Sequence, residues 1–441
     1  MEKAKSKGKL SVVFESDISR EYEATGQAKA KRPKSKNEAG TGAKGHLWEF
    51  IAIASVPLVL VLGNSMIVPV LPDIREKLGV SQFQSSLVIT LFSVTAGLVI
   101  PVSGYLSDRF SRKAIIIPSL IIYGAAGIVA GLGAVWNSYA ILIVGRAIQG
   151  LGAAGTAPIA MALAGDLYKG GTESKALGLT EAANGTGKVL SPILGSLLAL
   201  IVWHAAFFAF PVFCLLSLLA VVFLLKEPKK TKEPPKLGEY MRQIGAILKE
   251  KGSWLITAFF AGSLALFVLF GVLFYLSDIL EKPPYSIDGV MKGFVLAIPL
   301  LGQVVTSYTT GANIKKNGTL MRWLMNIGLT LMTVALSLCI FLYDKNIYLF
   351  IGLLTLSSIG SGLLLPCLNT MIAGSVERDQ RGMITSIYNS LRFLGVAFGP
   401  PLFSWMMDIS HRIVFISVAS MALLTLAFVF FLIKPKGQLS G

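Results

Sequence analysis

The sequence is short of the residues that catalytic and metal-binding proteins draw on. It has three histidines in 441 residues, His46, His204 and His411, and they stand far apart. Its three cysteines, Cys214, Cys339 and Cys367, each lie inside an apolar run. They show neither metal-ligand spacing nor an even-numbered disulfide pattern, and they read as small buried hydrophobes. A phosphate-binding loop, a nucleophile elbow and a zinc-ligand helix are all missing, so enzymatic chemistry, a metal and a cofactor are not expected. Charge is scarce as well. Only 15% of residues are charged and 54% are hydrophobic, where soluble domains carry about 25% charged residues. The first 46 residues have no apolar core of the kind a cleavable signal peptide needs.

What the chain has is apolar runs. Twelve are read, at about 49–71, 85–106, 114–135, 138–165, 174–201, 204–225, 253–280, 289–311, 320–342, 346–373, 382–407 and 412–433. Each is long enough to cross a bilayer as a helix, which takes about 20 residues. The net charge of +16 is informative through its distribution and does not call for a nucleic-acid partner. Of the 40 Lys and Arg, 31 fall in or beside the segments on the side of the two termini, and six on the other side. The remaining three, Arg146, Lys188 and Arg392, lie within spans. Positive residues stay inside, so both termini are expected in the cytoplasm of a multi-pass cell-membrane protein.

The expected divisions are a disordered basic tail over 1–46, a six-helix bundle over 47–226, a linker over 227–252, a second bundle over 253–434 and a tail over 435–441. The first tail carries eleven Lys and Arg, enough to touch anionic headgroups, although a solvated tail that enforces topology is the preferred explanation. The linker contains the cationic, Pro-rich KEPKKTKEPP. The two halves look like repeats. At a shift of 208, Gly152 falls on Gly360, Gly187 on Gly395, Ser191 on Gly399, Pro158 on Pro366 and Pro192 on Pro400. Repeats in a polytopic chain point to a transporter that rocks one half against the other.

Between the second and third spans the chain reads GYLSDRFSRK, from Gly104 to Lys113. Gly104, Leu106, Asp108, Arg109, Arg112 and Lys113 match Gly-x-Leu-x-Asp-Arg-x-Gly-Arg-Lys, with Ser111 at the second Gly. This resembles the signature loop of the major facilitator superfamily. The second half keeps only a worn copy, with Gly311, Gly318 and Lys315 in place of Asp108. VGRAIQGLGAAG in the fourth span resembles a second family motif, carried by Arg146, Gln149, Gly150 and Gly152. Gly187, Ser191, Pro192, Gly195 and Ser196 resemble a motif of antiporters and exporters, echoed by Gly395, Gly399 and Pro400. The resemblance covers about 47–434. It implies an all-α polytopic fold of twelve transmembrane helices in two pseudo-symmetric six-helix bundles, working by alternating access, with no cofactor. It also implies a cytoplasmic gate of Gly104, Asp108, Arg109, Arg112, Lys113 and Asp166. In that gate Asp166 would pair with Arg112, and Asp108 would meet the start of the eleventh helix near Arg381 and Gly382.

The buried charges bear most directly on function. A cation at the bilayer centre costs about 2.5–3.5 kcal/mol, so Arg146 should face protein or water. Asn64, at similar depth in the first span, is the expected partner. The family associates this arginine with proton coupling; a purely structural hydrogen-bond hub is the other reading. In the fifth span Glu181 and Lys188, seven residues apart, project from one face, with Asn184 between them. Glu181 is expected to carry the proton, unless it is a static partner for Lys188. Arg392 sits near the midplane of the eleventh span. One carboxylate against three cations leaves the others to neutral acceptors (Asn64, Gln149, Asn184, Asn369, Asn389) or to a negatively charged substrate. The expected function is a proton-coupled exporter of amphipathic small molecules, of the multidrug antiporter type, acting as a monomer. Its substrate cavity would hold Asn64, Gln149, Asn184, Lys188 and Arg392. A carrier of an anionic metabolite or lipid headgroup, and a non-transporting sensor on the same fold, are the rival readings.

Overall fold

The computed structural model describes residues 42–168, 171–227, 237–314, 317–376 and 380–434. The tails expected over 1–46 and 435–441, most of the Pro-rich linker and Lys315 lie largely or wholly outside them. Among the described residues there are helices and no strand. The first half comprises α1 (Gly42–Ser65), a 3-10 turn (Val68–Val70), α2 (Leu71–Leu78), α3 (Gln82–Arg109), α4 (Arg112–Val135), α5 (Tyr139–Ala154), α6 (Ala157–Leu167), α7 (Gly171–Ala199) and α8 (Ala205–Leu224). The second comprises α9 (Leu237–Glu281), α10 (Gly289–Asn313), α11 (Gly318–Leu342), α12 (Ile347–Gly374), α13 (Arg381–Ile409) and α14 (His411–Leu432).

Ten helical stretches among the described residues are long and apolar enough to cross a membrane. Two more, α7 and α13, have the length at 29 residues each, so composition is what they lack. They are the fifth helix of each half and carry Glu181, Lys188 and Arg392. With them the count is twelve, and the chain is a multi-pass membrane protein.

Three expected spans are broken differently from the sequence reading. The first ends at Ser65 and continues through the 3-10 turn into α2, because Pro69 and Pro72 lack the N–H that an unbroken helix needs. The fourth is interrupted between Ala154 and Ala157, where Pro158 begins α6. The seventh is the far limb of the 45-residue α9, which turns at Gly252. The backbone there has φ +40°, a value that favours glycine.

Packing repeats between the halves. In the first, α4 packs on α5 and α8, and α3 on α5; in the second, α11 packs on α12 and α14, and α10 on α12. The repeat extends to single contacts. Gly152 lies against Ser119 and Tyr123 of α4, and Gly360 against Gly328 and Met332 of α11, as a shift near 208 requires.

The halves meet along two antiparallel seams, α3 on α13 and α7 on α10. Prolines set the hydrogen bonding of the first. Pro101 cannot donate to the Gly97 carbonyl, which accepts the Ser390 hydroxyl instead at 2.5 Å. Pro401 likewise leaves the Ala397 carbonyl to Thr90, at 2.7 Å. Both bonds are buried, so each satisfies a polar group that would otherwise be orphaned.

Candidate functional site

Arg146 is fully buried in α5. Its Nε donates to the Val88 carbonyl at 2.9 Å, and its Nη1 to the Gly63 carbonyl at 3.2 Å and to Gln149 Oε1 at 2.6 Å. The guanidinium also lies over the Phe92 ring, 4.5 Å from its centroid. The link to α1 therefore runs through the backbone of Gly63 and not through the Asn64 side chain, which corrects the sequence expectation. The cause is the early end of α1. Gly63 is in its last turn, where carbonyls have no intrahelical donor and accept from elsewhere. Asn64 Oδ1, Arg146 Nη2 and Gln149 Nε2 remain buried without hydrogen-bond partners.

The second cluster stands between the halves. Lys188 of α7 is within electrostatic reach of Arg392 of α13 and of Glu181 on its own helix. Among the described residues no carboxylate lies within ion-pairing distance of Lys188, Arg392 or Arg146. Arg392 donates to Asn389 Oδ1 at 3.3 Å and lies 5.4 Å from the Tyr388 ring centroid, with its Nε buried and unpartnered. Glu181 is exposed, while Asn184 and Lys188 are half-buried. The small residues of the same helices hold them close to neighbours. Gly187 abuts Leu58 and Val61 of α1, Gly195 the Met66 carbonyl, Gly395 the Ser263 carbonyl, and Gly399 the Phe267 carbonyl and Gly271. The buried Ser191 hydroxyl turns back onto the Gly187 carbonyl of its own helix, beside the bend-prone Pro192.

The signature loop is built around Arg112. Its Nη2 meets Asp108 Oδ1 at 2.6 Å, its Nε meets Asp166 Oδ2 at 2.9 Å, and its Nη1 donates to Ser107 Oγ at 2.6 Å. The expected Arg112–Asp166 pair is thus present in the structure. Asp108 also lies beside Gly382, at the start of α13. Gly104 allows α3 to approach Ser386 of α13. Arg109 donates to the Tyr105 hydroxyl at 3.2 Å. Ser111, where the family pattern has Gly, caps α4 by accepting from the Ala114 N–H.

Several residues here escaped the sequence reading. Glu227 accepts the Arg112 and Lys113 N–H groups at 2.7 and 2.9 Å, a carboxylate at a helix N-terminus. The Lys113 ammonium ties down the end of α8 through the Val222 and Leu225 carbonyls. Tyr240 packs edge-on against Tyr105, with ring centroids 5.1 Å apart, and faces Ser386, Asp108 and Arg112. Glu227 is the second residue of the Pro-rich run KEPKKTKEPP, directly before Pro228, and nothing local set it apart from the other charges there.

The opposite end of the bundle carries a second set of charges. There α2 places Arg75 Nη1 3.1 Å from Asp278 Oδ1 of α9, across the two halves. Lys282 takes the other oxygen of Asp278 at 2.5 Å. Ser277 donates to the Val68 carbonyl at 3.1 Å. Lys292 of α10 is paired with Glu281 and also feels Asp73 of α2.

Repeated six-helix halves, cross-packed around embedded charge, define a membrane carrier rather than an enzyme. The sequence profile of the Major Facilitator Superfamily matches residues 53–321 and 282–440. The chain belongs to that family of transporters. It is 46% identical over 390 residues to the bacillibactin exporter of Bacillus subtilis, covering 88% of this chain and 96% of the relative. It is 28% identical to the multidrug efflux protein YfmO of the same organism, over 79% of this chain and 84% of that one. Among solved structures, the human organic anion transporter MFSD10 superposes with a TM-score of 0.69 at 19% identity, covering 87% of this chain and 99% of that one.

Proposed function

We propose that the chain is a proton-coupled exporter in the cell membrane, with both termini and the signature loop in the cytoplasm. Its cargo is bacillibactin, or an amphipathic small molecule like it that bears negative charge. The observation that carries this reading is the positive charge between the halves, where Lys188 and Arg392 are within electrostatic reach of one another and Glu181 is the carboxylate that acts on Lys188. An ionised group left alone at this depth is costly, so the site favours a ligand that brings the missing charge. The relative that exports bacillibactin spans nearly the same length, and more distant relatives are efflux proteins, which supports export.

Glu181 is the coupling group in this proposal. Ionised, it screens Lys188 and accepts hydrogen bonds from the cargo, while Arg392 meets the cargo's negative group. Protonation after the cargo has left neutralises the carboxylate and turns one of its oxygens into a donor, so proton and cargo alternate at one group. Arg146, bonded to the backbone of both α1 and α3, transmits the change to the first helix.

Purified protein in proteoliposomes with an internal pH dye tests this. Bacillibactin added across an imposed gradient should collapse it with the wild type, and Glu181→Gln should cut the rate at least about tenfold. Equal collapse by the variant would make Glu181 structural. A response to simple organic anions but not to bacillibactin would favour the anionic-metabolite carrier, which the same cations also suit. A response to cationic dyes alone would overturn both readings.

A further inference from the structure

The α2 end of the bundle holds an ion-pair clasp that joins the two halves. Helix α2 is a polar eight-residue extension of the first span, stopped by Gly79, whose φ of +62° gives a left-handed cap. It offers Asp73 and Arg75 to the second half. Arg75 reaches Asp278, a carboxylate whose side chain is only 6% exposed. Asp73 is within electrostatic reach of Lys292, which is itself paired with Glu281 of its own half. Asp278 does not depend on the crossing from Arg75 to stay paired, because Lys282, just past the end of its own helix, holds its second oxygen. Directly behind the clasp, a small cavity between the halves is lined by Arg75, Gln82, Ser85, Ser277 and Asp278.

We infer that Arg75 and Asp278 are a gate pair of the transport cycle, which must part each time the carrier opens at the α2 end. The geometry separates two roles in one cluster. The Arg75–Asp278 bond spans the halves, so opening breaks it. The Lys282–Asp278 bond is local, since Lys282 follows directly on the last residue of α9, so it survives opening and keeps the buried carboxylate paired in both states. Loss of Arg75 removes the tie without leaving an orphaned buried charge, and the protein should still fold.

Ser85 reports the opening, because it is buried in the closed state and lines the cavity behind the clasp. The test uses the full chain in detergent, with Cys214, Cys339 and Cys367 replaced and Ser85→Cys introduced. Labelling by a polar maleimide is then timed. Detergent exposes both ends, so the result does not depend on the membrane orientation or cargo proposed above. Arg75→Gln should label about tenfold faster than the parent, Arg75→Lys near the parental rate, and Lys282→Gln at the parental rate. An unchanged rate in Arg75→Gln would overturn the inference. So would an equal acceleration by Lys282→Gln, which would mean general loosening of α9 and not the loss of a tie between halves. Thermal melting of each variant shows whether faster labelling reflects opening or unfolding.

Discussion

The two ends of the bundle are both held by arginine–aspartate pairs, yet in opposite senses. At the signature loop, Arg112 binds Asp108 and Asp166, and all three belong to the first half. At the α2 end, Arg75 and Asp278 belong to different halves. A cluster internal to one half can stay assembled while the halves move, and it presents a finished surface to α13. A pair that crosses the seam, on the gate inference drawn above, is remade on every cycle. One end is therefore a preformed docking face and the other a reversible tie. Substitutions at the first should register as stability, and at the second as opening.

The largest effect should come from Arg112→Ala, which leaves two carboxylates without their shared cation. The guanidinium is buried, but Asp108 and Asp166 are 32% and 50% exposed, so solvent screens part of the loss. The cost should be about 2–3 kcal/mol, and thermal unfolding in detergent should show it whether or not cargo is present. If the melting point is unchanged and only transport falls, the contrast between the ends collapses. Ser390→Ala comes next. It leaves the Gly97 carbonyl with no donor, because Pro101 supplies none, at a cost of about 1–3 kcal/mol. Its conservative counterpart Ser390→Thr should recover most of the loss. Glu227→Ala removes the acceptor at the start of α4 and should cost about 1 kcal/mol, again read as melting. The smallest effect belongs to Tyr240→Phe. The hydroxyl has no close, well-aligned hydrogen-bond partner, Ser386 being its neighbour, so stability should hold within about 0.5 kcal/mol, whereas Tyr240→Ala should loosen the packing on Tyr105.

Much of this was legible because the physics behind it is local. Apolar runs of bilayer length, cationic short loops and the 208-residue repeat each report on a stretch of chain that the sequence shows whole. Arg146 announced itself by being a cation in an apolar run, but its partner did not. Asn64 was the nearest polar side chain by depth, while the bond goes to the backbone of Gly63, which is available only because α1 stops at Ser65. A reading that carried the first span on to residue 71 hid that carbonyl. The α2 clasp was illegible for a different reason. Arg75 and Asp278 are 203 residues apart, and Arg75 alone is indistinguishable from any loop cation. Asp278 was counted inside a span without a reason to be there. The repeat did not help, because no comparable pair occupies the matching positions of the other half.

The α3–α13 seam shows what prolines contribute to a membrane helix beyond a bend. Thr90 pairs with Ala397 and Ser390 with Gly97, so seven residues separate the two bonds on each helix, about 10 Å along the axis. Each acceptor is open to a neighbour because a proline four residues later declines to use it. Pro401→Ala would return the Ala397 carbonyl to its own helix and make α13 more regular. It would also leave Thr90 facing an acceptor that is already occupied. Disulfide formation between cysteines placed at Gln82 and Met407, in contact at the end of this seam, should then slow. The imperfection in each helix is its capacity for company, and a more self-sufficient α13 would be a poorer neighbour.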